Sequence, residues 1–179
     1  VRVTRSQSRA GGAANVAKCL VALGAQARLC TVIGDDADGA IFRSEATNLG
    51  IAQAGILSDR ERLTTRKTRI VARHQQVIRL DRETVAPLSA ALEKRLRTRI
   101  ASAVRAADAV ILSDYAKGVL TPAVCRAVIA AAGSRPVLVD PKSLPWEPFR
   151  GATVMKPNLR EAESFAGRLL ASSDDASRA

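Results

Sequence analysis

Phe, Trp and Tyr together make up only 3% of the 179 residues. So few rings exclude a stacking platform for single-stranded nucleic acid. The three cysteines, Cys19, Cys30 and Cys125, are odd in number and have no CxxC spacing. They sit in apolar runs and read as buried thiols of a reducing, cytoplasmic compartment. No stretch approaches the ~20 uninterrupted apolar residues of a membrane-spanning helix. The opening Val1-Arg2-Val3-Thr4-Arg5 carries no secretory signal and no initiator Met, and reads as a chain cut at its front. The phosphate-cradling GxxxxGK[ST] loop is missing as well. The acidic run Asp35-Asp36-Ala37-Asp38 lacks the later ligand positions of a calcium loop.

Apolar residues at 47% and charged residues at 25% are ordinary for a globular protein with one core-forming domain. The charge is less ordinary. Lys and Arg exceed Asp and Glu by 11, and the window Arg60–Arg99 holds twelve basic and four acidic residues. A nucleic-acid groove has this character, but the window contains no aromatic residue. The preferred partner is an anionic small molecule, with nucleic acid the lesser alternative.

The chain is organised around Ala10-Gly11-Gly12-Ala13-Ala14-Asn15-Val16-Ala17, followed by Gly24 and Gly34. Two glycines at the start of a helix let a ligand approach the backbone, and the first-turn N–H groups there have no partner within the helix. On the pair alone, a plain strand-to-helix turn with small packing residues is the preferred reading. Val1–Val3 reads as a strand end. Helical spacing runs from Gly12 to Leu23, a strand from Arg28 to Ile33, a second helix from the acidic turn to Gly50, and a strand over 54–57. This alternation predicts an α/β fold with a parallel sheet. From Leu63 the pattern changes: Thr64–Ala72 and Gln75–Asp81 read as a hairpin around Arg73 and His74. A helix over Leu88–Ala106 carries Leu88, Leu92, Leu96 and Ile100 on one face. The alternation resumes with a buried strand at 109–113, a helix capped by Thr121-Pro122, strands at 136–140 and 153–156, and a last helix after Asn158.

Polar residues collect where strands end: Gly34, Asp36, Asp114, Lys117, Asp140, Lys142, Asn158 and Glu161. Open parallel sheets bind ligands at that edge. Each has a local reading too. Asp114 suits a turn, the lysines a surface, and Asn158 with Glu161 a capping box.

In register, these stretches resemble the ribokinase-like (PfkB) sugar kinases. Ala10-Gly11, Ala13, Asn15, Ala17, Gly24 and Gly34 match the amino-terminal signature. Gly34–Gly39 and Asn158-x-x-Glu161 follow in the family's order. Arg73–Asp81, Leu112–Gly118, Val139-Asp140-Pro141-Lys142 and Lys156-Pro157-Asn158-Leu159 resemble the branch that phosphorylates D-glycero-β-D-manno-heptose 7-phosphate at O1 with ATP. That reaction lies on the route to the lipopolysaccharide inner core, and the kinase is often fused to an adenylyltransferase domain.

The resemblance implies an incomplete three-layer αβα sheet over 1–179, with a β lid over 63–83 that often builds a homodimer. It implies that Gly11, Gly12 and Asn15 hold the sugar, joined by Asp114 and Lys117. Lys67, Arg69 and Arg79 are its candidates for the substrate phosphate, a task that suits guanidinium. Asn158 and Glu161 would organise Mg²⁺ and the ATP phosphates, with Lys142 nearby. The family's Gly-Ala-Gly-Asp motif, which carries the catalytic base and the anion-hole amides, does not occur in this sequence, and its substrate-binding first-strand Asp is expected ahead of Val1. The chain therefore reads as the middle of a longer kinase, without useful turnover alone. The alternatives are another ribokinase-like sugar kinase and a non-catalytic remnant that binds sugar phosphate.

Overall fold

The computed structural model describes residues 2–142 and 145–171. The chain divides into two compact units, Val1–Glu83 and Thr84–Ala179. In the first unit, Arg2 and Val3 carry no strand, contrary to the expected strand end there; Val1 lies outside the described residues. The elements are α1 (Gly12–Ala22), β1 (Arg28–Gly34), α2 (Ala37–Asn48), β2 (Ala52–Asp59), β3 (Arg66–Ala72) and β4 (Gln75–Arg82).

Strands β1 and β2 run parallel. Helix α1 buries Ala14 and Ala17 in a cluster with Leu29, Ile33, Ala46 and Ile56, and such small side chains allow close packing. Cys19 is exposed on α1, which corrects its reading as a buried thiol: it faces away from the Ala14–Ala17 stripe. Cys30 is half-buried and Cys125 buried.

The end of β1 is stitched to the loop after β2. The Gly34 N–H donates to Thr64 Oγ1 (2.8 Å), and the Thr64 N–H donates to Asp36 Oδ2 (3.1 Å). Asp36 also caps α2, accepting from the Gly39 N–H at 2.8 Å. Burial pushes the Asp36 carboxyl up, but bonds from Thr64 and Gly39 and the nearby Arg82 outweigh it and hold it below the usual carboxylate range. A Cβ on Gly34 would lie 2.5 Å from the Arg62 carbonyl oxygen and 2.7 Å from the Thr64 nitrogen, so only glycine fits.

Strands β3 and β4 form a separate antiparallel sheet, as the change of pattern at Leu63 predicts. Their turn is Arg73-His74, with φ of +48° and +67°, the left-handed pair that a two-residue hairpin requires. The pairing shifts between Ile70 and Val71; Val77 is the extra residue of a bulge. Register and alternation put Thr68, Ile70, Ile78 and Leu80 on one face, and Lys67, Arg69, Arg79 and Asp81 on the other. At the root, Asp38 pairs with Arg66 (2.9 Å) and Arg82 (3.4 Å), one from each strand.

The second unit contains α3 (Ala90–Arg105), β5 (Val110–Ser113), α4 (Pro122–Ala132), β6 (Val137–Asp140), a 3-10 turn (Glu147–Phe149), β7 (Val154–Met155) and α5 (Leu159–Ala166). Ser89 and Thr121 cap α3 and α4 through their side chains. The expected face of α3, from Leu88 through Leu92 and Leu96 to Ile100, is buried, and α3 packs on α4. The sheet is parallel in the order β5-β6-β7. Leu112, Val137 and Val139 are buried, whereas Ile111, Leu138 and Val154 are 39%, 38% and 50% exposed. The strand at 109–113, expected to be wholly buried, is therefore buried on one face. The run was apolar throughout and carried no polar alternation to reveal this.

Gly34→Ala should cost about 1–3 kcal/mol of stability, the usual scale of overpacking. Gly11→Ala, where a Cβ meets nothing within 4 Å, should leave the urea midpoint nearly unchanged; equal midpoint shifts would contradict this contrast. Burial foremost, and the neighbouring Asp114 charge, push the Cys125 thiol up to about 12. A thiol reagent near pH ~8 should thus label Cys19 in the native chain and Cys125 only after unfolding, since the thiolate is the reactive form. Peptide mass mapping over time reads the order.

Candidate functional site

The carboxyl ends of β5, β6 and β7 converge on one cavity of about 270 Å³, lined among others by Asp114, Asp140, Lys142, Lys156, Asn158 and Glu161. Each residue is placed by a short local rule. Asp114 follows β5 and is 8% exposed. Its Oδ1 accepts from the Ala116 N–H (2.8 Å) and its Oδ2 from the Lys142 N–H (3.3 Å). One carboxylate therefore holds the loop after β5 and the chain leaving β6. That first loop turns through Ala116 and Gly118, at φ of +53° and +73°. A Cβ on Gly118 would lie 2.1 Å from the Ala86 carbonyl oxygen.

Asp140 ends β6 and receives Lys156 Nζ at 3.0 Å. That bond and the Asp140 charge push the Lys156 ammonium up, so it stays charged. Asn158 and Glu161 form the reciprocal capping box of α5. The Glu161 N–H donates to Asn158 Oδ1 (3.0 Å) and the Asn158 N–H to Glu161 Oε2 (2.8 Å). The other Glu161 oxygen, Oε1, accepts from Lys142 Nζ at 3.2 Å. The Glu161 side chain is 13% exposed and that of Lys142 55%. The lysine head is thus the solvent-facing member of the pair, within reach of an anionic ligand.

The two cations suit phosphate oxygens. Among the described residues, no group of three or more His, Cys, Asp or Glu converges as a metal cage. The donor set suits a divalent ion that keeps water and ligand oxygens in its shell, the habit of Mg²⁺.

Of the residues singled out from sequence, the structure brings Asp114, Lys142, Asn158 and Glu161 together at this cavity. Lys117 lies in the loop after β5 and is not among its lining residues. Asp140, one of the strand-end polar residues read from sequence, lines it as well, whereas Tyr115 and Lys156 were not singled out. A signal existed for Lys156, which ends the apolar strand segment at 153–156, where the edge rule applies.

The remaining candidates belong to the first unit. Gly11 is the extended N-cap of α1 and has no side-chain cap; Gly12 opens the helix at φ +55°. Asn15 is exposed one turn in. On the hairpin, Lys67 Nζ contacts Asp81 (2.8 Å) and Glu83 (3.4 Å), and Arg79 Nε contacts Asp81 (2.9 Å). The Lys67 bond foremost, then that of Arg79, holds the Asp81 carboxyl below its usual range, while the Asp81 bond pushes the Lys67 ammonium up. Arg69 stands directly opposite Arg79, and Asp81 supplies the anion beside that like-charge pair.

The chain is 47% identical over 169 residues to the bifunctional protein HldE of Pelobacter propionicus, covering 93% of this chain and 35% of that protein. It is 42% identical over 165 residues to HldE of Helicobacter pylori, covering 91% and 36%. It thus spans about a third of the length of these curated relatives. Among solved structures, phosphofructokinase-2 from Escherichia coli superposes with a TM-score of 0.73 at 16% identity, over 99% of this chain and 62% of that one. Arabidopsis thaliana ribokinase, complexed with ribose and ATP, superposes with a TM-score of 0.70 at 17% identity, over 99% and 58%. The fold is thus the ribokinase-like α/β fold, here incomplete. The family model for pfkB carbohydrate kinases matches residues 1–179, and the chain belongs to that family.

Proposed function

We propose that this chain is part of a kinase that transfers a phosphoryl group from ATP to O1 of D-glycero-β-D-manno-heptose 7-phosphate. The observation that carries the reading is the convergence of Lys142, Lys156, Asn158 and Glu161 on one cavity at the strand ends. The identity to HldE proteins supports the sugar. The resemblance also implies an adenylyltransferase domain in the full-length protein.

When bound, Mg-ATP supplies the transferable phosphoryl group and the charge neutralisation that such transfers need. The chain's residues bind and orient. Lys142 and Lys156 meet phosphate charge, Asn158 and Glu161 position the metal's water shell, and Asp114 fixes the backbone between them. In the first unit, Gly11, Gly12 and Asn15 take the sugar hydroxyls. Lys67, Arg69 and Arg79 take the 7-phosphate.

Calorimetry on the full-length protein separates the two groups of residues. Arg79→Ala and Arg69→Ala should weaken heptose 7-phosphate binding by ~1.5–3 kcal/mol, the worth of a hydrogen bond to a charged group, with Mg-ATP affinity unchanged. Lys142→Ala should do the reverse. Loss of both affinities in every variant would overturn the assignment.

The apolar face of Ile70, Ile78 and Leu80, with 43%, 46% and 52% exposure, supports a second reading. Isolated two-stranded sheets are marginal in water, and pairing of hairpins between two copies covers that face. Ile78→Lys should lower the sedimentation coefficient of the full-length protein from dimer to monomer; an unchanged value would count against the homodimer.

A further inference from the structure

Helix α5 carries the Asn158–Glu161 box to the cavity, yet it is eight residues long and has no buried residue. Its capping box organises only its own first turn. The Lys142–Glu161 pair is half in solvent and too weak to anchor a helix. A second contact lies one turn further on, at Phe165, which is 48% exposed. Phe165 stacks on Trp146, with ring centroids 4.3 Å apart and planes inclined by 10°. Glu161 and Phe165 are four residues apart and share one helical face. Their partners, Lys142 and Trp146, both belong to the segment that leaves β6. A single face of α5 thus grips a single segment twice, by an ion pair at the cavity and by an aromatic stack behind it.

We propose that the Trp146–Phe165 stack is the clamp that holds α5 against the segment after β6 and so keeps Glu161 and Lys142 facing the cavity. Both aromatics are positioning residues. The clamp itself stands on this geometry; its effect on ligand affinity rests on the reading of the cavity as the Mg-ATP site.

Trp146 is the sole tryptophan of the 179 residues, so its emission reports the stack directly. In the chain without ligand, Phe165→Leu should shift that emission to the red. Amide hydrogen exchange at Glu161 and Ala162 should accelerate roughly three- to tenfold, the scale of one aromatic pair. Exchange at Val124 and Cys125 in α4 should not change. Phe165→Tyr and Trp146→Phe, which keep a ring pair, should restore slow exchange. Unchanged exchange at Glu161 in Phe165→Leu would overturn the clamp, as would equal acceleration in α4, which marks general destabilisation. Calorimetry with Mg-ATP on the full-length protein adds the second arm, with affinity falling by a similar factor in Phe165→Leu and recovering in Phe165→Tyr. Faster exchange with unaltered affinity overturns the clamp's role at the cavity. Absence of Mg-ATP binding in the unsubstituted full-length protein overturns the nucleotide reading alone, and the exchange result then decides the clamp.

Discussion

The geometry of the second unit depends on one buried carboxylate. Asp114 stands at the end of β5, and its two oxygens satisfy backbone N–H groups of two different connections. A buried carboxylate left without such donors is costly, so the loop after β5 and the segment after β6 are held to the positions that provide them. The lysine side chain at 142 then starts from a fixed backbone, and the Glu161 carboxylate meets it from the opposite wall. Charges in the cavity alternate as a consequence: Asp140 with Lys156, Glu161 with Lys142. Three carboxylates, those of Asp114, Asp140 and Glu161, thus face two lysines across the cavity.

Most of this was legible from the sequence because it is local. Thr121-Pro122, the Asn158–Glu161 box and the Leu88–Ile100 stripe each specify their structure within a few residues, and each forms as read. Strand ends were legible because apolar runs stop at charged residues. What escaped was burial that depends on distant parts of the chain. Cys19 sits in an apolar helix, but which face turns inward was decided by Ala14 and Ala17, whose small size gave no hydrophobic signal. Ile111 and Leu138 look like core and are half open, because a uniformly apolar strand does not say which of its faces is covered. The Trp146–Phe165 stack joins residues nineteen positions apart, and no periodicity announces such a pair.

The hairpin shows how two chemistries share one thin sheet. Strand alternation alone sends the branched residues to one side and the cations to the other. The acidic residues Asp81 and Glu83 gather the cations on their side, and Asp38 ties both strands at the root. The cations of the hairpin are thus gathered largely in pairs, with Arg69 and Arg79 face to face at its centre.

The turn that closes this hairpin places Arg73 and His74 in left-handed backbone conformations. Both residues tolerate these less well than the Asn-Gly pair usual in such turns. The hairpin is therefore held short of the stability its topology allows, by two residues that touch no core and no cavity. Its population can be retuned by evolution or by design at two codons, upward with Asn-Gly, while the α/β units keep their packing intact.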